Sequence, residues 1–234
     1  MTWRVLVMFK VTRLLSFRPD LDDAARDALR TRFDAIVAGL PHVLHRRNRP
    51  SLPGSVNGGD IICHLQFATE ADHRACALAE AWGAFEDFCR GPHLASAESV
   101  MYRQGALGLG QPGIAGGVHR ILLLSVRPFI SEAKVIQFEA EMREMARYIP
   151  AIRNWGLSRV TASSGSRNWT HVWEQEFADV QGLYGPYMMH PIHFAHIDRW
   201  FDTQSHDWIV DPELCSTCCE FDTSAMSPVS NASP

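Results

Sequence analysis

The run "YMMHPIHFAHIDRW" places Tyr187, His190, His193 and His196 close together around a single proline, Pro191. Three histidines and a tyrosine can make a metal site, an acid/base site, or a merely polar helix. Pro191 fits the first position of a new helical turn, where a missing N–H costs nothing. That puts His190 near the cap and His193 in the first turn, where the positive end of the helix dipole disfavours an imidazolium and lowers its pKa. A histidine kept neutral near pH 7 is a competent general base. Tyr187 lies just before the break, and its phenolic hydroxyl can donate a hydrogen bond to a carbonyl or a developing enolate oxygen. The metal reading would take His190, His193, His196 and Asp198. On a helix His193 and His196 share a face, but a residue six positions from His190 has turned away, and the proline breaks the segment between them. His196, Asp198 and Arg199 then fall on a solvated or interdomain face.

A second candidate lies in "WTHVWEQEF", where strand alternation puts Trp169, His171, Trp173, Gln175 and Phe177 on one face and Thr170, Val172, Glu174 and Glu176 on the other. The tryptophan face is expected to be the buried one. His171 would then point inward between two aromatics, either as a hydrogen-bonded core histidine or as a residue that orients the base or the substrate. The abundant tryptophans suit an aromatic ligand, and they are equally good core residues. The six cysteines include the cluster "CSTCC" at 215–219. A zinc site built on Cys215 and Cys218 would want a second such pair, and the chain offers none. No spacing resembles a secreted disulfide framework, so reduced thiols are expected.

The elements that must hold these residues repeat. Residues 2–10, "TWRVLVMFK", read as a strand, followed by a helix in which Leu29, Phe33, Ile36, Val37 and Leu40 recur at helical spacing. In the second half "RILLLSVRP" at 120–128 is again a strand, and Val135, Phe138, Met142, Met145 and Ile149 step along one helix face. The strand-to-helix stretch "GDIICHLQFATEAD", with Thr69 as a cap and Asp72 three residues on, corresponds to "WTHVWEQEFAD". Helical stretches near 70–90 and 178–202 and closing segments near 100–109 and 212–221 complete each half. The glycine-rich "GALGLGQPGIAGGV" reads as a linker. The expected fold is α+β: tandem ferredoxin-like units, 1–112 and 118–222, joined as an intrachain dimeric α/β barrel. Residues 3–9 and 120–127 would be equivalent strands. Each unit leaves one sheet face bare, and sheet-on-sheet packing covers both. The space between the sheets is the expected pocket.

A formal net charge of −4 and a pI near 6.2 give no basic field for nucleic acid. The N-terminal run is broken by Arg4, Lys10 and Arg13 and has neither a leader's cleavage site nor a membrane-spanning length. No membrane partner and a cytoplasmic location are expected.

With these motifs in hand, residues 119–222 resemble the stress-responsive dimeric α/β-barrel, or Dabb, domains. The resemblance rests on "RILLLSVRP", "WTHVWEQEF" and "YMMHPIHF". It implies small-molecule chemistry without cofactor or metal, of the kind run by the polyketide-cyclase members, olivetolic acid cyclase among them, which close a chain by aldol condensation. It places the acid/base pair on Tyr187 and His193 and the strand histidine on His171. Trp169, Trp173, His190 and Arg120 are the expected substrate contacts. Arg120 stands where such proteins often carry a first-strand histidine, and His119 is displaced by one position to the other face. The same acid/base pair run backwards is a retro-aldol cleavage that releases an aldehyde. The first half matches as a worn copy, with Ile61 at the strand-histidine position and Phe88, Gly91 and Leu94 in "FCRGPHL" at the other three. A homodimer is compatible with the family. The alternative is a noncatalytic stress-response or ligand-binding barrel.

Overall fold

The computed structural model describes residues 8–226. The chain runs β1 (Phe9–Phe17), α1 (Asp23–Ala38), β2 (His45–Pro50), β3 (Ile61–Phe67), α2 (Glu70–Ala77), α3 (Glu80–Cys89) and β4 (Leu94–Arg103). After the short β5 (Ala106–Leu109) the order recurs as β6 (Ala115–Leu124), α4 (Glu132–Tyr148), β7 (Asn154–Ser164), β8 (His171–Phe177), a helical segment at 180–200, and β9 (Cys215–Thr223).

Side-chain caps start two pairs of corresponding helical segments in the two halves. Asp22 accepts the amide of Ala25 ahead of α1, and Ser131 accepts that of Lys134 ahead of α4. Thr69 caps α2 through the Asp72 amide, as the sequence predicts, and Asp179 caps the segment after β8 through Gly182. Each cap supplies one of the amide groups at a helix start with an acceptor.

The strands form one antiparallel sheet in the order β2-β3-β1-β4-β7-β8-β6-β9, with β5 added on β7. Two four-stranded units thus meet at the β4–β7 seam, where Ser99 pairs with Ser164 and Met101 with Ala162. On the far side the chain after β2 closes the curve against β9. The Leu52 amide donates to Cys218 (2.7 Å), and Val56 and Ser216 exchange bonds of 2.7 and 2.8 Å. The result is the expected α+β barrel of two ferredoxin-like units.

Two features differ from the sequence reading. The strand expected at 2–10 falls mostly on residues 2–7, which lie outside the described residues; among the described residues the first strand runs Phe9–Phe17, seven residues past the expected end. Apolar runs flank Phe9 on both sides, and pattern alone does not choose between them. The glycine-rich stretch is no loose linker, because β5 pairs with β7 inside it. Its glycines serve close approach: a side chain at Gly108 would strike the Trp155 indole, and Gly117 has φ +141°.

Three cores result. Phe33, Phe85 and Phe88 pack under the first half's helices, and Phe138, Met142, Trp173 and Trp200 under the second's. Between the sheets, Leu14, Val100, Tyr102, Ile121, Trp169 and Val172 fill one part of the barrel. Beside them lies a fully buried polar cluster: Lys10 Nζ bonds Glu174 at 2.9 Å, and the His64 and His119 Nε2 atoms stand 3.5 and 3.4 Å from the same carboxylate. The barrel interior is therefore packed.

Candidate active site

The cavity with the chemical side chains lies outside the barrel, between the outer face of β6 and β9 and the helical layer of the second half. It measures about 300 Å³. Leu122, Met142, Met145, Leu183, Ile197 and Phe201 give it apolar walls, and Arg120, Tyr187 and His193 face into it. The first half contributes Gly54, Ser55 and Val56, the segment that seals the barrel.

Position 120 on β6 points to the helices, whereas 119 points into the barrel, and this one-residue alternation decides which side chain reaches the cavity. Arg120 donates through Nη1 to the Tyr187 hydroxyl (3.0 Å) and to Gln175 (2.7 Å), and through Nε to Ser216 (3.2 Å). The Tyr187 oxygen thus accepts from a cation and keeps its own proton to donate. Tyr187 is buried, and its ring meets that of His193 edge-on at 4.7 Å between centroids.

His193 sits in a π-helical turn, Ile192–Ile197, that follows Pro191. Burial pushes its pKa below the usual value; Asp198 acts upward against that and Arg120 acts downward. The dominant cause is therefore desolvation rather than the helix dipole invoked from the sequence. The wider π turn repeats at i→i+5, which brings Asp198 alongside, its carboxylate 3.8 Å from His193 Nδ1. That pairing is invisible to a reading at α-helical spacing, which left Asp198 on a solvated face. The turn itself is tied to α4: Arg199 bonds Glu141 (2.6 Å) and Asp207 (3.0 Å), and the Trp200 indole donates to Glu141 (2.7 Å). His196 stands 3.4 Å from the same Glu141.

Four of the seven residues singled out from the sequence lie away from this cavity. His171 is on the helix-facing side of β8, not inside the barrel. Its Nε2 meets Glu139 of α4 at 3.1 Å, and its Nδ1 meets the Thr170 hydroxyl at 2.9 Å. Trp173 is buried under the helices against Trp155, with centroids 5.5 Å apart. Trp169 precedes β8 and turns the other way, into the barrel, where its indole donates to Glu98 (2.7 Å). His190 uses Nδ1 to accept the Ile192 amide at 3.2 Å, a capping role. The cause of the misplacement is plain in β8, every residue of which is buried. Alternation says which side chains share a face, but not which of two covered faces opens onto a cavity.

The metal alternatives find no support in placement. Among the described residues, no group of three or more His, Cys, Asp or Glu converges as a ligand set. All six cysteines are free and buried. Cys215 and Cys219 pack between the sheets, while Cys218 faces the helices and lines the cavity. No helix among the described residues is long and apolar enough to cross a membrane.

Comparison with known proteins agrees with this fold. None of the curated proteins matches the chain. Among solved structures, an anthrone oxidase-like protein aligns over 94% of this chain and 92% of its own, at 10% identity and a TM-score of 0.63. A chlorite dismutase variant from Candidatus Nitrospira defluvii aligns over 94% and 92%, at 9% identity and a TM-score of 0.56. At such identities the likeness is one of fold. Residues 118–211 match the family model described as the stress responsive A/B barrel domain, Dabb, so the second half of the chain is similar to that family.

Proposed function

We propose that the second-half cavity is the active site of an acid/base enzyme that forms an enolate from a small carbonyl compound, aromatic or polyketide-like in character. The observation that carries this is the convergence, in one largely apolar cavity, of a half-buried histidine with a lowered pKa and a tyrosine hydroxyl backed by a guanidinium. Neutral His193 removes the proton next to the substrate carbonyl. The Tyr187 hydroxyl donates to the carbonyl oxygen as it gains charge, and Arg120 stands behind that hydroxyl as the countercharge. The apolar walls hold water away and strengthen both interactions. Attack of the enolate on a second carbonyl of the same chain closes a ring by aldol condensation. The reverse sequence cleaves the bond and releases an aldehyde.

Every role in this scheme is filled by a side chain, and turnover is expected to survive dialysis against a chelator. Loss of activity that a divalent ion restores would contradict the scheme. The reading is tested by incubating the protein with aromatic and polyketide-like carbonyl compounds and following products by mass spectrometry. Ring closure with loss of water, or release of an aldehyde, that depends on His193 and Tyr187 supports it. Oxygen incorporation would place the chemistry after the enolate elsewhere, and tight binding of every compound without turnover would favour a noncatalytic ligand-binding barrel.

A further inference from the structure

The pseudo-symmetry of the barrel gives the first half its own counterpart of the active-site cavity. When Phe67 and Phe177, the last residues of β3 and β8, are treated as equivalent, the pairings place Val11 where Arg120 stands and Arg13 where Leu122 stands. Across the next strand, Met101 corresponds to Cys218 and Ser99 to Ser216. A cavity of about 350 Å³ lies there, lined by Arg13, Glu86, Cys89, Ser99, Met101 and Ser163 among others. Residues of β7 next to the β4 seam take the part that Gly54, Ser55 and Val56 take in the other half. The guanidinium has thus moved one same-face step along the strand, and the tyrosine and histidine are gone.

Arg13 is the unusual group. Its side chain is only 7% exposed, yet its single hydrogen-bond partner among the described residues is Glu86, 2.6 Å from Nη2. Its Nε is buried with no partner among them. A guanidinium carries five N–H donors in a planar fork, so most of this one's capacity is uncommitted at a cavity wall. Glu86 is shared, its other oxygen bonded to Arg90 at 3.0 Å, which leaves one carboxylate between two cations. The Cys89 thiol, pushed up to about 12 by burial, is an apolar wall and not a nucleophile.

We propose that the first half binds a small monocarboxylate in this cavity, held by the free edge of the Arg13 guanidinium. The planar fork matches a carboxylate, and the neighbouring Glu86 disfavours a doubly charged phosphate.

The test is a fluorine NMR titration of the full chain with 4-fluorobenzoate, with inorganic phosphate as a competitor. Two binding sites are expected in the unaltered protein, and Arg120→Met should remove only the one in the second half. Arg13→Met should weaken the other at least tenfold, with Arg13→Lys intermediate because it keeps charge and loses the fork. If Arg13→Met fails to fold by circular dichroism, Ser99→Leu, which narrows the cavity without changing charge, should block the site in its place. The proposal is overturned if no site survives in Arg120→Met, if Arg13→Lys and Ser99→Leu both bind as the unaltered protein does, or if phosphate competes more strongly than unlabelled benzoate.

Discussion

At the scale of single residues, His193, Tyr187 and Asp198 have distinct and separable tasks in the proposed chemistry. Removing a general base costs on the order of 10²–10⁴-fold in rate, so His193→Ala should lose most turnover. Tyr187→Phe removes only the hydroxyl that accepts from Arg120, and should slow the reaction while its melting temperature stays close to that of the parent. The pH profile carries the sign. The His193 pKa is lowered, so the neutral base persists below the ordinary histidine value of about 6.5, and the acid limb of kcat/KM should lie under that pH. Asp198 acts upward on this pKa. Asp198→Asn should therefore move the acid limb lower still, and a limb that stays in place would show that the carboxylate does not act on His193. The sequence displayed the proposed base and acid because Tyr187 and His193 flank Pro191, which precedes the turn that carries His193. It concealed Asp198 because a π turn changes which residues are neighbours.

At the scale of elements, β8 and α4 show why a strand histidine is a poor guide to a site. His171 joins the sheet to α4 through Glu139, whose carboxyl is held at about 2, where the His171 and Arg159 bonds outweigh the opposing effect of burial. Stability from this carboxylate is present above its unfolded value near 4.5 and is lost as pH falls toward 2. His171→Ala leaves Glu139 with Arg159 alone and opens space at the Phe138 edge. A loss of about 1.5–3 kcal/mol is expected for a lost hydrogen bond to a charged group, read as a lower urea midpoint, with little direct effect on proton transfer. In the first half Phe88 stacks on Phe33 at 4.4 Å and is fully enclosed. Phe88→Ala should cost about 3–5 kcal/mol and leave chemistry in the other half nearly unchanged. The helix start at Thr69 was legible because capping is local. The extension of the first strand to Phe17 was not, since it depends on pairing with β3 and β4, residues far along the chain.

At the scale of the whole molecule, the duplicated pattern predicted the barrel but not what fills it. A bare sheet face must be covered, and the sequence showed two such faces; whether the space between them is cavity or core depends on side chains from six or more strands meeting at once. Here they meet as a polar lock between the halves. Burial opposes the charge on Glu174, but Lys10, His119 and His64 together hold its carboxyl well below the usual range. Burial in turn pushes His64 and His119 below the normal histidine value. The unfolded chain therefore binds more protons than the folded one as pH drops, first at the two histidines from about 6.5 downward and then at Glu174 from about 4.5. The melting temperature should fall progressively on acidification through that window. Lys10→Met strands a buried carboxylate and should cost about 3–5 kcal/mol, whereas Lys10→Met combined with Glu174→Gln should cost less than the single change.

The central claim, proton abstraction by His193 in the second-half cavity, is tested most directly by hydrogen exchange at the substrate carbon. A carbonyl compound that the protein turns over would be incubated in deuterium oxide, with deuterium next to the carbonyl followed by NMR. Exchange that the unaltered protein accelerates, that His193→Ala abolishes, and that Tyr187→Phe slows is the predicted result. Exchange that proceeds equally well in His193→Ala would contradict it.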